Sequence, residues 1–242
     1  MFNVAFLETL RLAEIARVAP LMPSGARVLE IGAGTGTQTL ALRRLGFEVL
    51  AIDLADSNYA TDQQVAITIY DGAHLPAADA SIDVVYSSNV LEHVERLDAL
   101  FAEMRRVMRP DARAIHVLPT HGWRFWSLLS AFPAAVQTAI DRRHGPWRRI
   151  ARHMAAPFFQ RAHGAEGGVL GELWRFRPAR WRARFAQAGF EIERDCPMGL
   201  FYTGHMVRGA NWPLDRRARA ARWAGSACHL FVMRRRPGAE EG

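Results

Sequence analysis

Apolar residues recur along the first half of this chain in two alternating rhythms, short continuous runs and wider helical spacings. Asn3 to Val18 carries Val4, Leu7, Leu10, Ile15 and Val18 on one stripe and stops before Pro20, which predicts a helix. Val28, Leu29 and Ile31 form a run suited to a strand buried on both faces. Thr37 to Leu45 then reads as a helix with Leu40, Ala41 and Leu45 inward. Val49 to Ile52, Ala66 to Tyr70, Ile82 to Asn89 and Ala114 to Leu118 predict four more strands. Before the last of them, Leu97, Leu100, Phe101, Met104 and Met108 make the core face of a helix. Strands alternating with helices in this way specify an α/β fold with a doubly wound, mostly parallel, Rossmann-like sheet.

After Leu118 the rhythm breaks. His121 to Arg177 opens with Trp123, Phe125, Trp126, Leu128, Leu129 and Phe132, continues through Arg142, Arg143, Arg148, Arg149 and Arg152, and reaches Phe158 and Phe159. Residues this apolar are not left in water, and arginines are not buried unpaired, so the segment reads as a helical cap insertion after the fifth strand. A plain lid, an acceptor tunnel and docking at a membrane surface all remain open for it. The α/β rhythm returns with Pro178 opening a helix, Trp181, Phe185 and Ala188 inside it and Gly189 as its cap. Strands follow at Phe190 to Asp195 and Ala227 to Met233.

Chemistry concentrates where the first strand ends. Glu30-Ile31-Gly32-Ala33-Gly34-Thr35-Gly36 places three glycines in a sharp turn between strand and helix, which clears space for a ligand. A dinucleotide fingerprint needs a further glycine at the position held by Thr37, so a pyrophosphate is not called for. Asp53 closes the second strand, where its carboxylate can accept from two ribose hydroxyls.

Glu30 to Gly36 resembles motif I of the class I methyltransferases that use S-adenosylmethionine, and Asp53 matches their ribose-binding acid. The resemblance is specific over about residues 20 to 120. It implies a cofactor site of Glu30, Gly32, Ala33, Gly34 and Gly36, then Asp53 and Leu54, with Asp71 beside the adenine amino group next to Gly72 and Ala73. Asn89 would complete it, since Val90-Leu91-Glu92-His93 is similar to the family's Leu-Glu-His segment. Asp111-Ala112 departs from the family's usual Gly-Gly, in a turn far from the chemistry. The family's antiparallel last strand would make Cys196 and Cys228 neighbours, both as thiols. One domain over 1–242 is expected, with a cofactor-binding half at 1–120, the cap at 121–177, the rest of the sheet at 178–234 and a flexible tail at 235–242.

Methyl transfer from a sulfonium needs alignment and exclusion of water more than a metal or a covalent nucleophile. For a hydroxyl acceptor a base helps, and His121 and His93 are the catalytic candidates, with His205 behind them. Tyr202 and His205 fit equally a loop packed on the last strands. His163, Glu166 and Glu172 lack the fixed helical frame of a metal site, so no metal is expected.

At 242 residues with a formal charge of +7, the chain has no lysine, and all 31 basic side chains are arginine. Scattered arginines of this kind read as solvated surface and argue against nucleic acid. No cysteine motif or Asn-Pro-Pro-Tyr-like run supports RNA methylation. The longest uncharged run, Phe125 to Ile140, is interrupted by Pro133 and falls short of the roughly 20 residues a membrane span needs. Two cysteines and the lack of a leader point to the cytoplasm. The leading expectation is therefore a methyltransferase for a small-molecule, glycan or lipid-linked acceptor, with peripheral membrane contact open. The alternatives are a non-catalytic S-adenosylmethionine-binding regulatory or assembly module and an RNA methyltransferase.

Overall fold

A computed structural model describes residues 4–57, 61–141, 163–164, 168–206 and 209–236. Its strands are β1 Arg27–Ile31, β2 Glu48–Leu54, β3 Thr68–Tyr70, β4 Ile82–Ser88, β5 Met108–Pro119, β6 Phe190–Pro197 and β7 Cys228–Arg235. They form one sheet in the order β3-β2-β1-β4-β5-β7-β6. β1 to β5 are parallel, and β7 inserts antiparallel to both β5 and β6. The strand order reverses between β1 and β4, so a crevice opens beyond their carboxyl ends. Cys196 on β6 pairs with Leu230, two positions along β7 from Cys228, and both cysteines are free.

The helices are α1 Val4–Val18, α2 Thr37–Arg44, α3 Leu97–Val107, α4 His121–Asp141, α5 Val169–Arg175, α6 Pro178–Gln187 and α7 Leu214–Ala224. Adjacent residues of β1 point to opposite faces, and Val28 and Leu29 are both fully buried. Val28 joins Leu10, Ile15 and Val18 of α1 and Leu42 of α2 in one core. Leu29 joins Leu100, Phe101 and Met104 of α3 and Trp181 and Phe185 of α6 in the other. Each such side chain contributes about 1.5–3 kcal/mol on burial.

Local details differ from the sequence reading. On α2 the buried face is Thr39 and Leu42, and Leu45 is 58% exposed as the C-cap. The cause is polar: Thr39 Oγ1 donates to Glu30 Oε2 at 2.6 Å and turns that face toward β1. α3 ends at Val107, and Met108 opens β5 instead of closing the helix. β3 is limited to Thr68–Tyr70. β7 runs through Arg235.

Trp123 of α4 and Phe176 are buried in the α1-side core. Arg124 of α4 pairs with Glu172 of α5 at 2.6 Å, both side chains buried, and Trp126 Nε1 donates to the Ala224 carbonyl at 2.8 Å. Phe125, Leu129 and Phe132 instead leave an apolar stripe on α4, each between 45% and 49% exposed. Among the described residues no helix is long and apolar enough to cross a membrane. Arg142, Arg143, Arg148, Arg149, Arg152, Phe158, Phe159, Glu166 and the tail after Arg236 lie outside the described residues.

Candidate functional site

The turn after β1 is built by backbone geometry. Gly32 has φ +73°, and a Cβ there would come within 2.4 Å of Val90 Cγ2 on the loop after β4. Gly36, at φ +79°, caps α2, and a Cβ would meet Val65 at 2.4 Å. Only glycine allows both the left-handed backbone and the close approach. The Gly32 and Ala33 amides donate to the Ile52 carbonyl at 2.9 and 3.0 Å, which fixes the turn against the end of β2.

Asp53 is drawn into the same construction. Its Oδ2 accepts from the Gly34 amide at 2.8 Å and from Ser57 Oγ at 3.1 Å, and its Oδ1 from the Leu54 amide at 2.8 Å. A carboxylate has about four acceptor positions, so capacity for a ligand hydroxyl remains on Oδ1. Gly72 closes on the same corner, where an added Cβ would lie 3.2 Å from the Leu54 side chain. Two further acids are engaged by their own neighbours. Glu30 is buried under the turn, bonded to Thr39 and pushed up to about 7 by burial. Asp71 accepts from the Ala73 and His74 amides and from His74 Nδ1, bonds that hold its carboxyl well below the usual range and close its own loop.

Beyond β4, α1 and the segment after β6 deliver a polar network that the hydrophobic pattern did not show. Tyr202 Oη donates to Glu14 Oε1 at 2.9 Å and lies 3.0 Å from Cys228 Sγ, while Arg11 pairs with Glu14 at 2.7 Å. The Asn89 amide oxygen accepts from Arg11 at 2.7 Å and from Ser88 Oγ at 3.1 Å. Gln38 Nε2 donates to Tyr86 Oη at 3.0 Å. Burial pushes the Cys228 thiol up to about 12, which leaves it protonated and unreactive as a nucleophile. Asn89, at φ +55°, is thereby held at the rim of the crevice.

Residues 29–116 match the family model described as a methyltransferase domain. Over these residues the chain carries a methyltransferase domain, and its fold is that of S-adenosylmethionine-dependent methyltransferases. The bifunctional biotin biosynthesis protein BioHC of Cellvibrio japonicus is 33% identical over 117 residues, 46% of this chain and 23% of that protein. Malonyl-(acyl-carrier protein) O-methyltransferase of Geobacter sulfurreducens is 31% identical over 132 residues, 49% of each chain. Demethylmenaquinone methyltransferase of Corynebacterium glutamicum is 35% identical over 125 residues, 48% of this chain and 54% of its own. The match thus spans about half or less of these relatives. The S-adenosylmethionine-dependent methyltransferase of Mesorhizobium loti superposes with a TM-score of 0.56 at 17% identity, covering 92% of this chain and 98% of its own, and shares the fold.

The methyltransferase domain's cofactor is S-adenosylmethionine, and the residues present suit it. Asp53 retains an acceptor for a ribose hydroxyl, and the turn from Gly32 to Gly36 carries no side chain at its three glycines. The structure brings these together with Leu54 and Gly72, and sets Asn89 at the end of β4.

The candidate bases part company. His121 begins α4, exposed, its amide donating to the Phe176 carbonyl at 3.1 Å, and burial with nearby Arg177 holds its ring below the ordinary range. His205 is exposed and is likewise lowered, first by burial. His93 stands beside Glu92 and edge-on to His163, ring centroids 4.6 Å apart, lowered by burial. Glu172 faces Arg124 and the amides of His163 and Gly164, so its partners are structural.

Proposed function

We propose that this chain transfers the methyl group of S-adenosylmethionine to a small acceptor with an apolar body and an anionic group. The observation that carries the reading is the joint between the glycine turn and Asp53, which makes one rigid nucleoside-binding corner from two strands. Bound S-adenosylmethionine supplies an activated methyl group with its own leaving group, so the chain's task is alignment and exclusion of water. Asp53 binds the ribose. Gly32, Ala33, Gly34 and Gly36 would hold the methionine portion, and Leu54, Asp71, Gly72, Ala73 and Asn89 would contact the rest. Glu30 supports the turn from below through Thr39.

Two features support the acceptor class. Phe201, Trp126, Leu129 and Trp212 line a recess of about 270 Å³ at the foot of the exposed stripe of α4. Arg175, Arg180 and Arg184 line a cleft of about 450 Å³ beside the loop after β4. On this reading residues 121–177 cover the acceptor, and the malonyl group on a carrier protein, named for the Geobacter sulfurreducens relative, belongs to the same chemical class. Where the acceptor presents a hydroxyl, His121 is the imidazole assigned to take its proton.

The test is transfer of label from methyl-labelled S-adenosylmethionine into fractionated bacterial extracts. Label should enter a small amphiphilic fraction and vanish with Asp53→Ala. Label in RNA, or none in any fraction despite cofactor binding, would replace this reading with one of the alternatives.

A further inference from the structure

We propose that Glu92, His93 and His163 form a binding site for a divalent transition ion of zinc's class. One potential ligand atom from each residue lies within 4.8 Å of the others. Glu92 Oε1 is 3.8 Å from His93 Nε2 and 3.9 Å from His163 Nε2. Those separations are too long for hydrogen bonds. Both are about half an ångström wider than the about 3.4 Å between ligands on a tetrahedral ion with bonds of about 2.0–2.1 Å, and the two imidazoles, within 4.8 Å of each other, close by up to about 1.4 Å to complete the set.

Glu92 points to an ion independently of this spacing. Its side chain has no exposed surface, and neither carboxylate oxygen makes a hydrogen bond to another described residue. A buried carboxylate without a partner is costly, and a cation at this point supplies the missing charge. Arg124, a cation close to His163, is already engaged by Glu172. Two imidazoles and one carboxylate make the three-ligand set of zinc sites that keep a fourth position for water. His93, with 43% of its side chain exposed, provides the way in from solvent.

The surroundings hold the ligands in place before any ion arrives. A Cβ on Gly164 would sit 2.7 Å from the Glu92 carbonyl oxygen, so only glycine lets this segment lie against the loop after β4. Glu172 accepts from the amides of His163 and Gly164, and the His163 ring lies 4.7 Å from that of Trp123. The two amide bonds fix the backbone at His163, and the Trp123 ring limits where the imidazole can swing. An ion here ties the loop that follows Asn89 to the segment that precedes α5.

The experiment titrates the full chain with Co²⁺ and then Zn²⁺ against a competing chelator, following the visible absorption of bound Co²⁺. One equivalent of Co²⁺ should give the intense bands of a four-coordinate site, and Zn²⁺ should abolish them. His163→Ala should lose the bands and weaken Zn²⁺ binding by more than about 100-fold, beyond the cost of losing an outer partner. Glu92→Gln should behave alike, and His163→Ala carries the test should that variant not fold. S-adenosylmethionine binding on the same samples should not change, so the two readings fail separately. Absence of a Co²⁺ spectrum in the unaltered chain, or Zn²⁺ affinity unchanged in His163→Ala, overturns the site.

Discussion

The amide of Gly34 donates to Oδ2 of Asp53 across 2.8 Å, and through that bond the turn after β1 and the end of β2 become one surface. Asp53→Ala removes both this joint and the acceptor for the ribose. It should weaken S-adenosylmethionine by about 1.5–3 kcal/mol, the worth of charge-assisted hydrogen bonds. Calorimetry on the folded variant checks it, and unchanged affinity would place the ribose elsewhere.

Glu30 makes stability depend on pH. Burial raises its pKa from 4.5 to about 7. Between those values the folded chain keeps a proton that the unfolded chain has released, so its contribution falls as pH rises from about 4.5 to about 7 and is flat above. From pH 5 to pH 8 the loss should be on the order of 2–3 kcal/mol. Glu30→Gln, which can still accept from Thr39, should remove that part of the slope in urea denaturation. A variant that keeps the full slope would show that Glu30 ionises normally.

Tyr202 links α1 to β7 through Glu14 and Cys228. Tyr202→Phe leaves Glu14 short of one donor inside the protein and should cost about 1–3 kcal/mol of stability. Denaturant midpoints at constant slope would measure it. A loss below about 0.5 kcal/mol, the size of an ordinary surface change, would mean that the network contributes no stability.

Much of this architecture was legible because it depends on local pattern. The runs at Val28 to Ile31 and Val49 to Asp53, with the glycines between strand and helix, gave the corner that holds Asp53. What escaped depends on polar residues turned inward. Thr39 and Leu42 face β1 because Glu30 draws Thr39 in, which apolar periodicity cannot show. α7 escaped because its buried residue is Arg217, which donates to the carbonyls of Trp212, Phe201 and Gly209 and lies 4.6 Å from the ring centroid of Phe6. Arg11 and Glu14 belong to the helix whose expected inward residues Leu10, Ile15 and Val18 are buried, but their meeting with Tyr202 spans 191 and 188 positions of sequence. His163 likewise reaches Glu92 only through the return of the chain over the loop after β4.

The exposed stripe of α4 gives a prediction about the acceptor. Phe125→Ser with Leu129→Ser alters side chains 45% and 49% exposed, so about half of each side chain's burial is lost and stability should fall by about 1 kcal/mol at each. Cofactor affinity should hold while KM for an amphiphilic acceptor rises. Kinetics indistinguishable from those of the unaltered chain would remove the stripe from the acceptor path.

The central claim is that the corner made by Gly32 to Gly36 and Asp53 takes the nucleoside of S-adenosylmethionine and not a dinucleotide. Calorimetric titration of the full chain with S-adenosylmethionine, repeated in the presence of excess NADH, tests it most directly. Saturable binding of one equivalent that NADH does not displace is the expected result. Tight binding of NADH with no response to S-adenosylmethionine would contradict the account.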